Sequence, residues 1–207
     1  MISQLISSAV QLALVLTIVG ALWFVFARSK ASFASWIGLT TPPSHALLMA
    51  LAATLALTMV KVPLLAWPLW LESVRGGGSV MGGLKEMGLS TETVVILVVI
   101  AVIKTALTEE IFFRGLIAKR LFAWLGFTKG NVAQALIFGA VHLGLFAVPN
   151  GPPWSLGLAL AFVLFPAVTG WLIGYLNERV GGGSIAPGWA MHAAGNTLWY
   201  TAIVFLV

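Results

Sequence analysis

Cysteine and aspartate are both absent from this chain. The first absence excludes disulfide bridges and a thiol nucleophile together, and the second excludes hydrolysis by paired aspartates. Charge is scarce as well. Only 8% of the 207 residues are charged against 60% hydrophobic, and the mean hydropathy is +1.03, values that exclude an ordinary soluble globular domain. Period-2 alternation is missing, which removes an outer-membrane barrel. There is no His-Glu-x-x-His, and no Gly-Lys-Ser/Thr follows the glycines at 76–78, so neither a zincin helix nor a phosphate loop is present. The net charge of +5 does not indicate nucleic acid, because the basic residues stand singly or in pairs beside apolar runs.

What the chain does contain is a series of apolar runs of about 20 residues, the length that crosses a hydrocarbon core of about 30 Å as a helix. The fold expected is all-α: one polytopic transmembrane bundle over residues 1–207 with about six spans, or up to eight helices when re-entrant or interfacial pieces are counted. The spans fall near 3–27, 46–71, 92–119, 131–148, 155–177 and from 185 onward. The first is too long, and lacks the basic start, for a cleaved signal peptide, so it reads as a retained helix. Pro63, Pro68 and Pro166 are expected to kink their helices. Trp67 and Trp70 read as interfacial anchors, and Lys61 as a snorkelling or structurally paired lysine. The glycine-rich stretch 72–90 reads as a mobile loop and 150–153 as a turn. Arg28, Lys30, Lys119, Arg120, Lys129 and Arg179 fall in odd-numbered connections, whereas the even ones hold only Arg75 and Lys85. This bias puts the odd connections in the cytoplasm and both termini outside a prokaryotic plasma membrane.

Two carboxylates interrupt the third span, in Thr108-Glu109-Glu110-Ile111-Phe112-Phe113-Arg114. A charge at the bilayer centre costs at least ~2.5–3.5 kcal/mol on insertion scales, so such residues face a protein interior or a wet cavity. Residues four apart share a helix face, so Glu110 can pair with Arg114 while Glu109 points elsewhere, without a cation of its own. His142 and His192 also lie within apolar spans; either alone would read as core or helix-helix glue. Depth links them. At 1.5 Å per residue, Glu109 lies about 15 Å from Lys119, His142 about 16 Å from Asn131, and His192 and Asn196 about 10 and 16 Å from Ile185. His192 and Asn196 share a face, Phe138 stands one turn from His142, and Gly139, Gly188 and Gly195 remove bulk near the histidines.

Such a layer suits amide hydrolysis, which needs an activated water, a base and donors aimed at the developing oxyanion. Glu109 is the candidate base, with His142 holding the same water, and His192 and Asn196 are the oxyanion donors. Glu110 with Arg114 fixes the helix and its field. A zinc ion held by Glu109, His142 and His192 is the metal alternative; otherwise no cofactor is expected. A rhomboid-like serine is disfavoured because Ser79 and Ser184 fall in loops. A proton relay through Glu109 and Lys104 would make a transporter, but no inverted repeat supports one.

Glu109-Glu110-x-x-x-Arg114, Phe138-x-x-x-His142 and His192-x-x-x-Asn196 resemble, in order and approximate spacing, the three motifs of the CPBP family, formerly called Abi. That family comprises type II CAAX prenyl endopeptidases and bacteriocin-processing or immunity proteins. The resemblance lies within residues 92–207, and residues 1–90 match nothing specific. It implies an intramembrane endopeptidase, glutamate-type or metal-dependent. Glu109 and His142 would activate water, His192 and Asn196 would hold the oxyanion, and Glu110, Arg114 and Phe138 would support them. The substrate implied is a membrane-associated protein or peptide; the depth of the polar layer, counted from the cytoplasmic helix ends, puts the active site toward the cytoplasmic side. The alternative within the family is a non-catalytic immunity or partner-binding scaffold.

Overall fold

Serine caps, prolines and glycines divide the chain into helices. A computed structural model describes residues 2–76, 79–149 and 151–207, and these form helices and short connections with no strand among the described residues. Gly77, Gly78 and Asn150, expected in a loop and a turn, lie outside the described residues. After α1 (Ile2–Phe26), Ser32 caps the short α2 (Phe33–Ile37), and Gly38 ends it at φ 77°, a conformation that costs only glycine nothing. α3 (Ser44–Lys61) follows Pro42-Pro43. Pro63 tightens its continuation into a 3-10 helix (Val62–Ala66), Trp67 is extended, and Pro68 starts α4 (Pro68–Arg75). Ser79 caps α5 (Val80–Glu86), and Ser90 caps α6 (Thr91–Val99).

The helix begun at α6 continues through two π-helical segments, Ile100–Leu107 and Glu110–Ala118, with Glu109 at their junction. π-turns of this kind are uncommon and gather at functional sites. α7 (Lys119–Ala140) is broken at Gly126 (φ 73°) and passes into a 3-10 helix, Val141–Phe146. α8 (Leu156–Tyr175) carries Pro166 inside it, and α9 (Ala186–Thr201) has Pro187 in its first turn.

Among the described residues three helices are long and apolar enough to cross a membrane: Ile2–Phe26, Ser44–Ala66 and Leu156–Val180. Their outer faces leave large apolar side chains uncovered, among them Leu14, Leu48 and Leu164 at 58%, 69% and 55% exposure. Lipid is the solvent for such faces, so this is an integral membrane protein. The remaining stretches expected as spans are helical too. However, 91–118 carries five charged residues, α7 breaks at Gly126, and α9 runs only 16 residues before its π-turn.

Several local expectations change. The described residues of 72–90 are largely helical rather than a loop, because α4 runs on to Arg75 and Ser79 supplies the cap that α5 needs. The basic stretch 119–130 continues α7. Trp70 is not an interfacial anchor: it is buried, 5.4 Å edge-on from Trp199, since α4 folds back over the bundle.

Buried polar bonds set the register between helices. Thr54 Oγ1 of α3 donates to Met191 O of α9 at 3.2 Å, and Trp189 Nε1 donates to Val102 O at 3.0 Å, so α9 is pinned on two sides. Gln134 Nε2 donates to Asn131 Oδ1 and Gly170 O, both at 2.8 Å, and Asn131 Nδ2 donates to Trp171 O, tying α7 to α8. Asn177 Oδ1 accepts the Gly188 N–H at 2.7 Å, joining the end of α8 to the start of α9.

Two of the glycines near the histidines are required by close approach. A Cβ on Gly139 would stand 2.5 Å from Val163 O and 2.9 Å from Ala167 Cβ, and one on Gly188 would meet Ile173 and Asn177. Gly195 differs, since its nearest neighbour, Thr54 Cγ2, would lie at an ordinary 3.8 Å. We therefore expect Gly139→Ala to lower stability by about 1–3 kcal/mol through overpacking, read as a fall in thermal midpoint in detergent, while Gly195→Ala leaves it unchanged. Equal midpoints for the two variants would contradict the α7–α8 packing described.

Candidate active site

The buried carboxylate of Glu110 sits where α9 crosses the π-helical segment of the third long helix. Its Oε1 accepts a hydrogen bond from His192 Nδ1 at 3.0 Å and lies 3.3 Å from Arg114 Nη1. Both members of the Glu110–Arg114 pair are inaccessible, at 0% and 2% exposure, so the i,i+4 pairing expected from the sequence is present and dry. Its geometry is an ion pair without a well-formed hydrogen bond; Arg114 Nη1 and Glu110 Oε2 have no hydrogen-bond partner among the described residues. The guanidinium instead lies 4.0 Å over the Phe138 ring, whose negative face compensates part of the lost hydration.

Glu109 does not simply point away. Its Oε2 is 3.8 Å from His192 Nε2, beyond a hydrogen bond but within reach of one bridging water, and its side chain is 25% exposed. Adjacent helical residues diverge by about 100°, and the imidazole is wedged between the two diverging carboxylates. The sequence reading missed this, because it placed Glu110 with Arg114 alone.

Hydrogen bonds also fix the tautomers. Phe138 O can only accept, so His142 Nδ1 carries the proton of the 2.7 Å bond between them. In the neutral ring His142 Nε2 is then a bare acceptor. An ionised Glu110 likewise only accepts, so His192 Nδ1 donates. His192 Nε2 can therefore act as a donor only when the ring is an imidazolium.

Phe138 is the hub expected from its spacing. It is buried, edge-on to His142 at 5.1 Å, to Phe113 at 5.0 Å and to His192 at 6.1 Å. Asn196 Nδ2 is buried and has no acceptor among the described residues. The other polar candidates are engaged elsewhere. Lys104 Nζ reaches Gln4 Oε1 on α1 at 3.4 Å, Ser184 Oγ donates to Thr40 O, and Ser79 Oγ accepts the Gly82 N–H.

A cavity of about 500 Å³ opens on this cluster, within the range of ligand pockets. His142, His192, Asn196 and Phe138 line its inner end; Glu109 is not among the lining residues and adjoins it through His192. From there the cavity runs toward Trp70, Ser73, Met81, Val148 and Pro152, the end of the bundle that carries the second and fourth connections. Depth along the helices had suggested the opposite end. Among the described residues no three His or carboxylate groups converge as a metal-ligand set. The Glu109, His142 and His192 set therefore fits a metal poorly.

The family model of the type II CAAX prenyl endopeptidase Rce1-like proteins matches residues 91–198, half of the chain, and takes in every residue of the cluster. The chain belongs to the Rce1-like family. This is a protease family, which agrees with the order of motifs read from the sequence. No curated protein and no solved structure matches the chain. The Rce1-like match begins at the first residue of α6, so α1 to α5 lie outside it, although α3 packs on α9 and helps enclose the cluster.

Proposed function

We propose that this Rce1-like protein is an intramembrane endopeptidase that hydrolyses a peptide bond of a membrane-associated protein or peptide with a water activated by Glu109 and His142. The observation that carries the reading is Asn196 Nδ2, a buried donor in the cavity wall without an acceptor, one turn from His192. A buried unpaired donor costs about 1–3 kcal/mol, and an amide carbonyl in the cavity would supply the missing acceptor.

In this reading His142 Nε2 accepts one hydrogen bond from the water and Glu109 takes its proton. The resulting hydroxide attacks the carbonyl carbon. Charge collects on the former carbonyl oxygen, toward which Asn196 and the imidazolium form of His192 each direct an N–H. Glu109 then returns its proton to the departing amine, and the C–N bond breaks. Glu110 acts through His192, holding its ring, and Arg114 offsets the charge of Glu110. No step is routed through a metal, given the poor fit of the donors.

One observation favours the non-catalytic alternative, a membrane immunity or partner-binding scaffold: Glu109 adjoins the cavity rather than lining it. Glu109→Gln separates the two. We expect it to abolish cleavage, by at least about 100-fold, so that an uncleaved precursor accumulates in membranes of cells carrying the variant. Asn196→Ala should cost about 100- to 1,000-fold. Insertion and thermal midpoint should stay unchanged in both, and 1,10-phenanthroline should leave the wild-type rate unaltered. Full function in Glu109→Gln would establish the scaffold reading, and zinc-restorable loss on chelation would establish the metal one.

The side of access follows from charge. Six crossings with the odd connections cytoplasmic would place the mouth of the cavity on the non-cytoplasmic face. A chain without cysteine suits single-cysteine labelling. A cysteine at Val148, in the cavity wall and 50% exposed, should react with an impermeant maleimide from outside intact cells, and one at Lys129 only after permeabilisation. The reverse pattern would contradict this orientation.

A further inference from the structure

Lys61 is the last residue of α3 and lacks the structural partner that was one of the two roles its sequence position had suggested. It is half-buried in the wall of the same cavity as His142, His192 and Asn196. Among the described residues it is the one lysine or arginine lining that cavity, no carboxylate lines it, and its ammonium makes no hydrogen bond or ion pair. The walls around it are apolar, with Leu64, Trp70, Phe165 and Trp199. An unpaired ammonium in such a wall is costly unless something anionic comes to it.

Its distance from the cluster follows from helix register. Ile185 N–H donates to Gly38 O and Ser184 Oγ to Thr40 O, so α3 and α9 start at the same end and run parallel. Thr54 is bonded to Met191 O, and Lys61 lies seven residues, two turns, beyond Thr54 on the same face. Thr54 faces α9 between Met191, whose carbonyl it bonds, and Gly195, so the Lys61 backbone stands about 3–9 Å past Asn196 along the bundle. An extended peptide covers that in one to three residues, at about 3.3–3.6 Å each.

We infer that Lys61 is an anion subsite of the cavity, holding a peptide carboxylate one to three residues from the bond presented to His192 and Asn196. The assignment rests on the endopeptidase reading for what occupies the cavity. A carboxylate fits better than a lipid phosphate. One ammonium matches a single carboxylate charge, whereas a phosphate's further oxygens need further donors, and the two serines of the cavity wall are already engaged. Ser73 Oγ donates to Trp70 O, and Ser79 caps α5.

The test measures binding of a dansylated apolar hexapeptide, with a free C-terminal carboxylate or as its amide, to the full chain in phosphatidylcholine nanodiscs, with cleavage followed in parallel. The wild type should bind the free acid at least about tenfold more tightly than the amide, the range of a charge-assisted hydrogen bond. Lys61→Met should abolish that preference by weakening the acid alone, and Lys61→Arg should retain it. Equal binding of acid and amide by the wild type, or an unchanged preference in Lys61→Met, would overturn the subsite. Indifference to the peptide end, with binding that instead depends on Lys61 only when phosphatidylglycerol is added, would replace the peptide by a lipid headgroup. A carboxylate preference without cleavage of any peptide would leave the subsite standing and remove the endopeptidase reading; cleavage without the preference would do the opposite.

Discussion

Glu110 carries the structure's most demanding electrostatic burden. A fully buried carboxylate is tolerated only when other groups offset its lost hydration, and here His192 comes from α9 and Arg114 from its own helix. Removing one partner of a buried pair typically costs about 3–5 kcal/mol, because it strands the other charge. The same contact that makes Glu110 tolerable therefore clamps two helices 82 positions apart and turns the His192 ring so that Nε2 faces Glu109. Stability and site geometry share one bond.

That arrangement gives the two histidines distinct characters. His142, held by a backbone carbonyl, presents a bare nitrogen in its neutral form. His192 sits between two carboxylates with Nδ1 bonded to Glu110, so its Nε2 donates toward a substrate oxygen only in the imidazolium form. A ring that accepts and a ring that donates, on opposite helices, are what water activation and oxyanion binding separately require. The rest of the cavity wall is mostly apolar, with Asn196, Thr169, Tyr200, two engaged serines and Lys61 as its other polar side chains, so each polar contact within it acts in a medium of reduced dielectric.

Much of this was legible in the sequence. Composition and run length gave an all-helical membrane protein, and helical spacing pointed to the Glu110–Arg114 pair, the Phe138–His142 neighbours and one layer holding Glu109, His142, His192 and Asn196, of which the last three line the cavity and Glu109 adjoins it. Other features depended on tertiary contact. Spacing along one helix cannot show that an imidazole from another is wedged between Glu109 and Glu110. Hydropathy read 72–90 as a loop because glycines dilute it, although Ser79 and Ser90 were visible cap signals. Trp70 and Lys61 looked interfacial because the fold-back after Pro68, which turns α4 over the bundle, is not encoded in periodicity. The direction of the cavity was invisible for a similar reason: depth along each helix is the same from either face.

The most direct examination of this account is the ¹⁵N spectrum of histidine-labelled protein in lipid, with the rings assigned by substitution. The account predicts that His192 Nδ1 is protonated and that this signature changes in Glu110→Gln, while the His142 signals stay in place. A neutral His192 with its proton on Nε2 and a bare Nδ1, indifferent to Glu110→Gln, would contradict it.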